Sequence, residues 1–161
     1  MKQSFNQFAV GFLTTILGGL FLLLLHGVIV GGPLAVFVPR CSSAWELSKL
    51  AFWPLLLACL LRRGKGGMAL PALVLTPLAL MLADWAVLAL GGNGGICLAL
   101  WVAALALALA FGRPCSEKRR WIWMAAAVAL GLSYLLLTYF APPWGPFLCP
   151  GDVAAMAPIP F

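Results

Sequence analysis

The chain is poor in charge and almost without histidine. Its 161 residues include 4 acidic side chains, 10 lysines and arginines and 1 histidine. A single histidine excludes a bis-histidine haem within the chain, a His-x-x-x-His zinc pair and a His-Glu-x-x-His metalloprotease motif. The 5 cysteines contain no Cys-x-x-Cys spacing, which argues against thiol-disulfide catalysis. Arg63-Gly64-Lys65-Gly66-Gly67 lacks both the full spacing of a phosphate loop and a strand before it. No Ala-x-Ala-like cleavage site follows the first apolar run, which is also longer than the apolar part of a signal peptide, so it reads as an uncleaved span. No cofactor is expected, and no nucleic-acid partner.

What the chain has in abundance is apolar surface. Hydrophobic residues make up 64% of it against 9% charged, with a mean hydropathy of +1.07, a balance that requires a lipid solvent. A helical span needs ~20 apolar residues to cross a hydrocarbon core of ~30 Å, so about five spans with their loops consume these residues and leave no room among them for a soluble catalytic domain. The expected fold is an all-α integral membrane protein, one transmembrane domain over 1–161. Its spans lie at about 5–30, 44–61, 68–90, 95–111 and 121–140, before an outer proline-rich tail at 141–161. A re-entrant arrangement of the third and fourth runs is the alternative.

The net charge of +6 sits in short clusters rather than along a groove. Arg62, Arg63 and Lys65 occupy one connector and Arg113, Lys118, Arg119 and Arg120 another, and both belong on the inner side. Five alternating spans then put Lys2 inside. The segment Pro33 to Ser43, the glycine turn Gly91 to Gly95 and the tail fall outside, with only Arg40 against the rule. Trp121 and Trp123 mark the inner interface and Trp45 and Trp144 the outer one. Pro54, Pro71 and Pro77 lie inside apolar runs, where each can bend a helix.

The few polar residues of the spans gather at one depth. At ~1.5 Å per residue, His26 lies ~18 residues beyond the inner end of the first span, Glu46 and Lys49 in the first turns of the second, and Asp84 ~16 residues up the third. Tyr134 and Thr138 add hydroxyls to the outer half of the fifth. An ionised group facing lipid is costly, so His26, Glu46, Lys49, Asp84, Tyr134 and Thr138 form a candidate polar pocket open to the outside. Glu46, Lys49 and Trp53 share a face at i, i+3, i+7, allowing an ion pair. The plainer readings stand beside this one: Glu46 and Lys49 as an interfacial pair reaching to water, Asp84 as a hydrogen-bonded acid between helices, and His26 as a packing residue. A metal site on His26, Glu46 and Asp84 is a further alternative. Cys41, Cys97 and Cys149 fall outside and Cys59 and Cys115 inside. Cys41 and Cys149 either pair in an oxidising compartment or remain small hydrophobes. Gly27 and Gly31 have the spacing of a close-packing helix pair but read better as the end of a span.

The segment Pro39-Arg40-Cys41-Ser42-Ser43-Ala44-Trp45-Glu46-Leu47-Ser48-Lys49, followed by Phe52-Trp53-Pro54, resembles the signature of a family of small bacterial membrane proteins designated only as a domain of unknown function. The usual form is P-V-N-E-S-V-W-E-H-L-K, then F-F-P. Pro39, Ser43, Trp45, Glu46, Lys49 and Pro54 match; His26 and the tail Ala141 to Phe147 resemble further family features. The pattern's asparagine, glutamate and second histidine are here Cys41, Ser42 and Leu47. The resemblance implies a small multi-span protein and supplies no reaction. With the charge pattern, it implies a bacterial cytoplasmic membrane.

The first functional expectation is a non-enzymatic component that handles a small solute or ion at the outer pocket, or serves as an accessory subunit. Its partners are then the lipid bilayer and a homo-oligomer or larger membrane complex. The competing expectation is a membrane-embedded enzyme acting on a lipid or lipid-linked substrate, with Glu46 or Asp84 as base and His26 as acid or ligand. The orientation is testable by fusion. A reporter active only in an oxidising outer compartment should work after Phe161 and fail when inserted after Gly66; the opposite pattern inverts the topology.

Overall fold

A backbone that leaves water must satisfy its own polar groups, and an α-helix does so locally. The computed structural model describes residues 2–26, 32–61, 70–111, 116–140, 142 and 144–147. These form five helices and, among the described residues, no strand: α1 (Lys2–Leu25), α2 (Ala44–Leu61), α3 (Leu70–Ala89), α4 (Gly94–Phe111) and α5 (Glu117–Tyr139). Two short 3-10 turns, Pro33–Val36 and Gly145–Phe147, complete them. Helices α1, α2, α3 and α5 are long and apolar enough to cross a membrane, whereas α4 offers the shorter apolar stretch Gly94–Ala110. The five expected runs are thus five helices, of which four reach membrane length.

The breakers act largely where the sequence puts them. Pro54 and Pro77 sit inside α2 and α3. Pro71, expected to bend a helix, is instead the second residue of α3, in the first turn, where a missing N–H costs nothing. Helix α3 is one unbroken element of 20 residues, and a tight turn joins it to α4. Gly91 takes a φ of 77° in that turn, a conformation open to glycine. Asn93 then caps α4, its Oδ1 accepting from the Ile96 N–H at 3.2 Å. Helix α1 stops at Leu25 with His26 in a closing turn, short of the expected 30. Residues 27–31, the connector 62–67, Arg113 and the tail from 148 lie outside the described residues.

Helices α1, α2, α3 and α4 form a ring in which each packs on the next and α4 returns to α1. Helix α5 packs outside the ring on α3 and reaches α2 through Tyr134, whose ring lies 5.1 Å from that of Phe52. The core runs along α2 through Trp45, Phe52 and Leu55 and joins Leu73, Trp101 and Leu105 from α3 and α4. Two-thirds of α2 is buried (67%), against 17% of α1 and 22% of α5, which makes α2 the axis of the bundle. At one end, the capped end, residues 32–43 and the turn Gly145–Phe147 close over the start of α2, with Phe147 5.2 Å from the Trp45 ring.

Paired glycines let α1 approach this axis. A Cβ on Gly18 would lie 3.2 Å from Pro54 Cβ, and one on Gly19 only 2.2 Å from Trp101 Cζ2 and 3.1 Å from the Leu50 carbonyl oxygen. Gly19 is therefore the recess into which the Trp101 indole fits. Gly19→Val is expected to destabilise the bundle by about 1–3 kcal/mol, as overpacking does, with partial recovery when combined with Trp101→Leu. Unfolding of the full chain in mixed micelles reads both.

Candidate functional site

The start of α2 organises the capped end. Ser43 precedes the helix and its Oγ accepts from the Glu46 N–H at 3.3 Å, an N-cap made by the Ser-x-x-Glu spacing. The Glu46 carboxylate does not turn back to Ser43. Its Oε2 accepts from the Arg40 N–H at 2.8 Å, and its two oxygens hold Lys49 Nζ at 2.8 and 2.7 Å. Lys49 Nζ also donates to Thr138 Oγ1 of α5 at 2.7 Å and to the Ala35 carbonyl at 3.3 Å. With 0% of Lys49 and 6% of Glu46 exposed, the pair is buried. The alternative in which both reach to water does not hold, because α5 and residues 32–43 cover them.

The peptide between Pro39 and Arg40 is gripped from both sides. His26 Nδ1 donates to the Pro39 carbonyl at 2.7 Å, while the N–H of the same peptide group goes to Glu46. Arg40 Nη1 donates to the Thr138 carbonyl at 2.7 Å, Tyr139 OH to the Gly32 carbonyl at 2.7 Å and Trp53 Nε1 to the Val36 carbonyl at 3.0 Å. Ser48 Oγ donates to the Trp45 carbonyl at 2.6 Å and lies 2.7 Å from Tyr134 OH. Its one proton being spent, the tyrosine hydroxyl is the donor there. Trp45, read as an interfacial ring, is in fact buried at 5% exposure, because Tyr134 and Phe147 pack on it at 4.6 and 5.2 Å.

Five of the six candidate residues thus belong to one network: His26, Glu46, Lys49, Tyr134 and Thr138. Asp84 stands apart. It lies on α3, 4% exposed, and meets the Cys97 thiol of α4 rather than Glu46. Together with Cys97 and Trp101 it lines a cavity of about 360 Å3 inside the ring. The apolar walls are Leu20 and Leu23 of α1, Leu47 and Leu50 of α2, Leu88 of α3 and Leu98 of α4, with Ser42 beside them. Leu20, Leu23 and Leu98 are themselves exposed on the outside of the bundle, which places the mouth at the seam between α1 and α4. Helix α2 lies between the two compartments, the pair Leu47 and Leu50 being turned on average ~100° from the pair Glu46 and Lys49.

Every proton of Lys49 and both oxygens of Glu46 are engaged. Three buried side-chain atoms among the described residues have no hydrogen-bond partner: Trp45 Nε1 at the capped end, and Asp84 Oδ1 and Trp101 Nε1 inside the ring. His26, Glu46 and Asp84 do not meet, and no group of three or more His, Cys, Asp or Glu poised for a metal occurs among the described residues. Cys41 is disulfide-bonded; Cys149, one of the partners the sequence offers, lies outside the described residues. Cys97, Trp101, Ser42 and Gly19 were not legible as site residues. A faint signal existed in the i, i+4 spacing of Cys97 and Trp101, which places both on one face of α4.

Compared with known proteins, the chain matches no protein-family model, and no curated protein or solved structure is significantly similar to it.

Removing one member of the buried pair leaves the other charge unpaired. Glu46→Leu is expected to cost about 3–5 kcal/mol, and the double variant Glu46→Leu, Lys49→Met distinctly less, measured as unfolding free energy in micelles. Equal losses would show that the pair contributes little beyond its packing.

Proposed function

We propose that this chain is a multi-span membrane protein that holds a small, largely apolar solute in the Asp84 cavity and does not transform it. In this reading the basic connectors face inward and the capped end lies on the outer side, in keeping with the disulfide at Cys41. The observation that carries the reading is a cavity of about 360 Å3 with leucine walls and the buried acid Asp84 in its lining. A volume of this size falls within the ~300–1,000 Å3 of small-molecule sites.

Ion handling is less well supported, because one carboxylate and the lone Ser42 hydroxyl fall short of the ~6 oxygens that hard cations gather. An enzymatic role for Glu46 and His26 is also weakly supported: Glu46 is bound to Lys49 and the Arg40 N–H, and His26 Nδ1 to the Pro39 carbonyl. The resemblance to the P-V-N-E-S-V-W-E-H-L-K pattern fits the same division. The matching Pro39, Ser43, Trp45, Glu46 and Lys49 are all buried at the capped end. Ser42 and Leu47, where the pattern carries glutamate and histidine, line the cavity. Within that resemblance, the shared residues build the cap and the divergent ones set what the cavity accepts.

A thermal-shift series on the full chain in micelles tests this. Short-chain amphiphiles should raise the melting temperature of the wild type, a ligand at 100 times its Kd stabilising by about 2.7 kcal/mol. Leu98→Trp, which fills the mouth, should abolish the shift. If no compound shifts the wild type, or the filled variant shifts equally, the cavity is not a binding site.

A further inference from the structure

The segment that leads into α2 is built unlike a connector in water. Residues 32–39 read Gly-Pro-Leu-Ala-Val-Phe-Val-Pro and carry no polar side chain. Ala35, Val36 and Val38 are buried beneath it, whereas Leu34 and Phe37 face outward, 56% and 42% exposed. The turn is therefore apolar on both sides. A contiguous apolar surface on the outside of a protein marks a contact with lipid or with another chain.

Its backbone is served from within the protein. The carbonyls of Gly32, Ala35, Val36 and Pro39 accept from Tyr139 OH, Lys49 Nζ, Trp53 Nε1 and His26 Nδ1. The Leu34 carbonyl accepts from the N–H groups of Phe37 and Val38, and the Arg40 N–H goes to Glu46. Pro33 and Pro39 have no N–H to satisfy. Water serves the carbonyls of an aqueous loop without help, so such a loop has no need of donors drawn from α2, α5 and the end of α1. A backbone at the edge of hydrocarbon does need them.

Depth agrees with this. Lys118, Arg119 and Arg120 stand exposed in the first turns of α5 and Tyr139 ends it. From Arg120 to Tyr139 the helix rises ~28 Å at ~1.5 Å per residue, close to the ~30 Å of a hydrocarbon core. Tyr139 holds Gly32, and Thr138 holds Arg40, so the turn stands where the hydrocarbon ends rather than beyond it. Arg40 is the one charge among residues 32–43, and its long side chain suits the headgroup level.

We propose that residues 33–37 form an interfacial cap set into the leaflet at the capped end, with Leu34 and Phe37 among the upper acyl chains. The partner of this surface is the bilayer itself. A protein partner is the poorer fit, because protein interfaces carry about one hydrogen bond per 100–200 Å2, and this face offers no polar side chain and carbonyls already engaged. The inference is independent of the Asp84 cavity and requires only that the helices span a membrane.

The experiment places one aminonaphthyl amino acid at Leu34 or at Phe37 of the full chain in phosphatidylcholine nanodiscs. Both positions are exposed, which keeps the risk to folding low. Quenching is read with lipid brominated near the head of its chains and with iodide in the water; the probe at Leu132, exposed midway along α5, and at Lys118 calibrates the two. Because an interfacial segment sits ~5–10 Å into the boundary, Leu34 and Phe37 should follow Leu132, with brominated lipid quenching roughly threefold more than iodide. Lys118 should show the reverse. The native chain gives a second reading: an apolar diazirine dissolved in the bilayer should label residues 33–37 as it labels 132–136.

Iodide quenching at 34 and 37 with Leu132 protected puts the cap in water and overturns the proposal. Quenching by neither, with residues 33–37 unlabelled, shows that another protein chain covers this face and overturns it equally. Iodide quenching at Leu132 as well removes the membrane span itself, and the proposal with it.

Discussion

Lys49 has an ammonium group with no exposed surface, and that constraint shapes the capped end. Such a group is tolerable in a low-dielectric interior only when its charge is countered and each proton accepted. Glu46 counters it from one turn away, Thr138 takes a proton from α5, and the Ala35 carbonyl takes a share from the 3-10 turn. One side chain thereby ties three parts of the chain that have no apolar reason to meet at that point. The apolar packing of Trp45, Phe52 and Tyr134 then closes around a junction whose geometry the charge has already set. Around it the backbone itself becomes a ligand, with the carbonyls of Gly32, Ala35, Val36 and Pro39 all accepting from side chains of other elements.

Helix α2 has opposite characters on two faces. Toward α5 and residues 32–43 it is polar and closed, with the Trp45 indole N–H left without a partner. Toward the ring of α1, α3 and α4 it contributes Leu47 and Leu50 to an unfilled space. A saturated ion pair resists ligands, because a newcomer displaces bonds already made.

Much of this was written in the sequence, and the losses have physical reasons. The apolar runs showed through their length and their glycine and proline breaks, and α2 begins at residue 44, where the sequence places it. The shared face of Glu46, Lys49 and Trp53 was also legible, since helical spacing fixes it, and all three do turn to the capped end. Depth, however, is one coordinate. Asp84 lies near the level of Glu46 yet on the far side of α2, and no count along the chain reports an angle around a neighbouring helix. Trp101 and Cys97 were silent because nothing in an apolar helix distinguishes an indole or thiol that faces a cavity from one that faces lipid. Trp45 misled for the converse reason: a tryptophan near the end of a span is a belt residue unless something covers it, and what covers it is Phe147, far along the chain.

The order of synthesis gives the Glu46 and Lys49 pair another meaning. Thr138 stands 89 residues after Lys49, so α2 is made long before the hydroxyl that completes its network exists. A lone ammonium in a newly made apolar helix would be a liability throughout that wait. Its counter-charge, however, lies one turn earlier on the same helix, and the two can neutralise each other as soon as the first turns form. Helix α2 is thus able to leave the ribosome as an electrically neutral segment, and the remaining helices assemble around a charge that never had to travel unpaired.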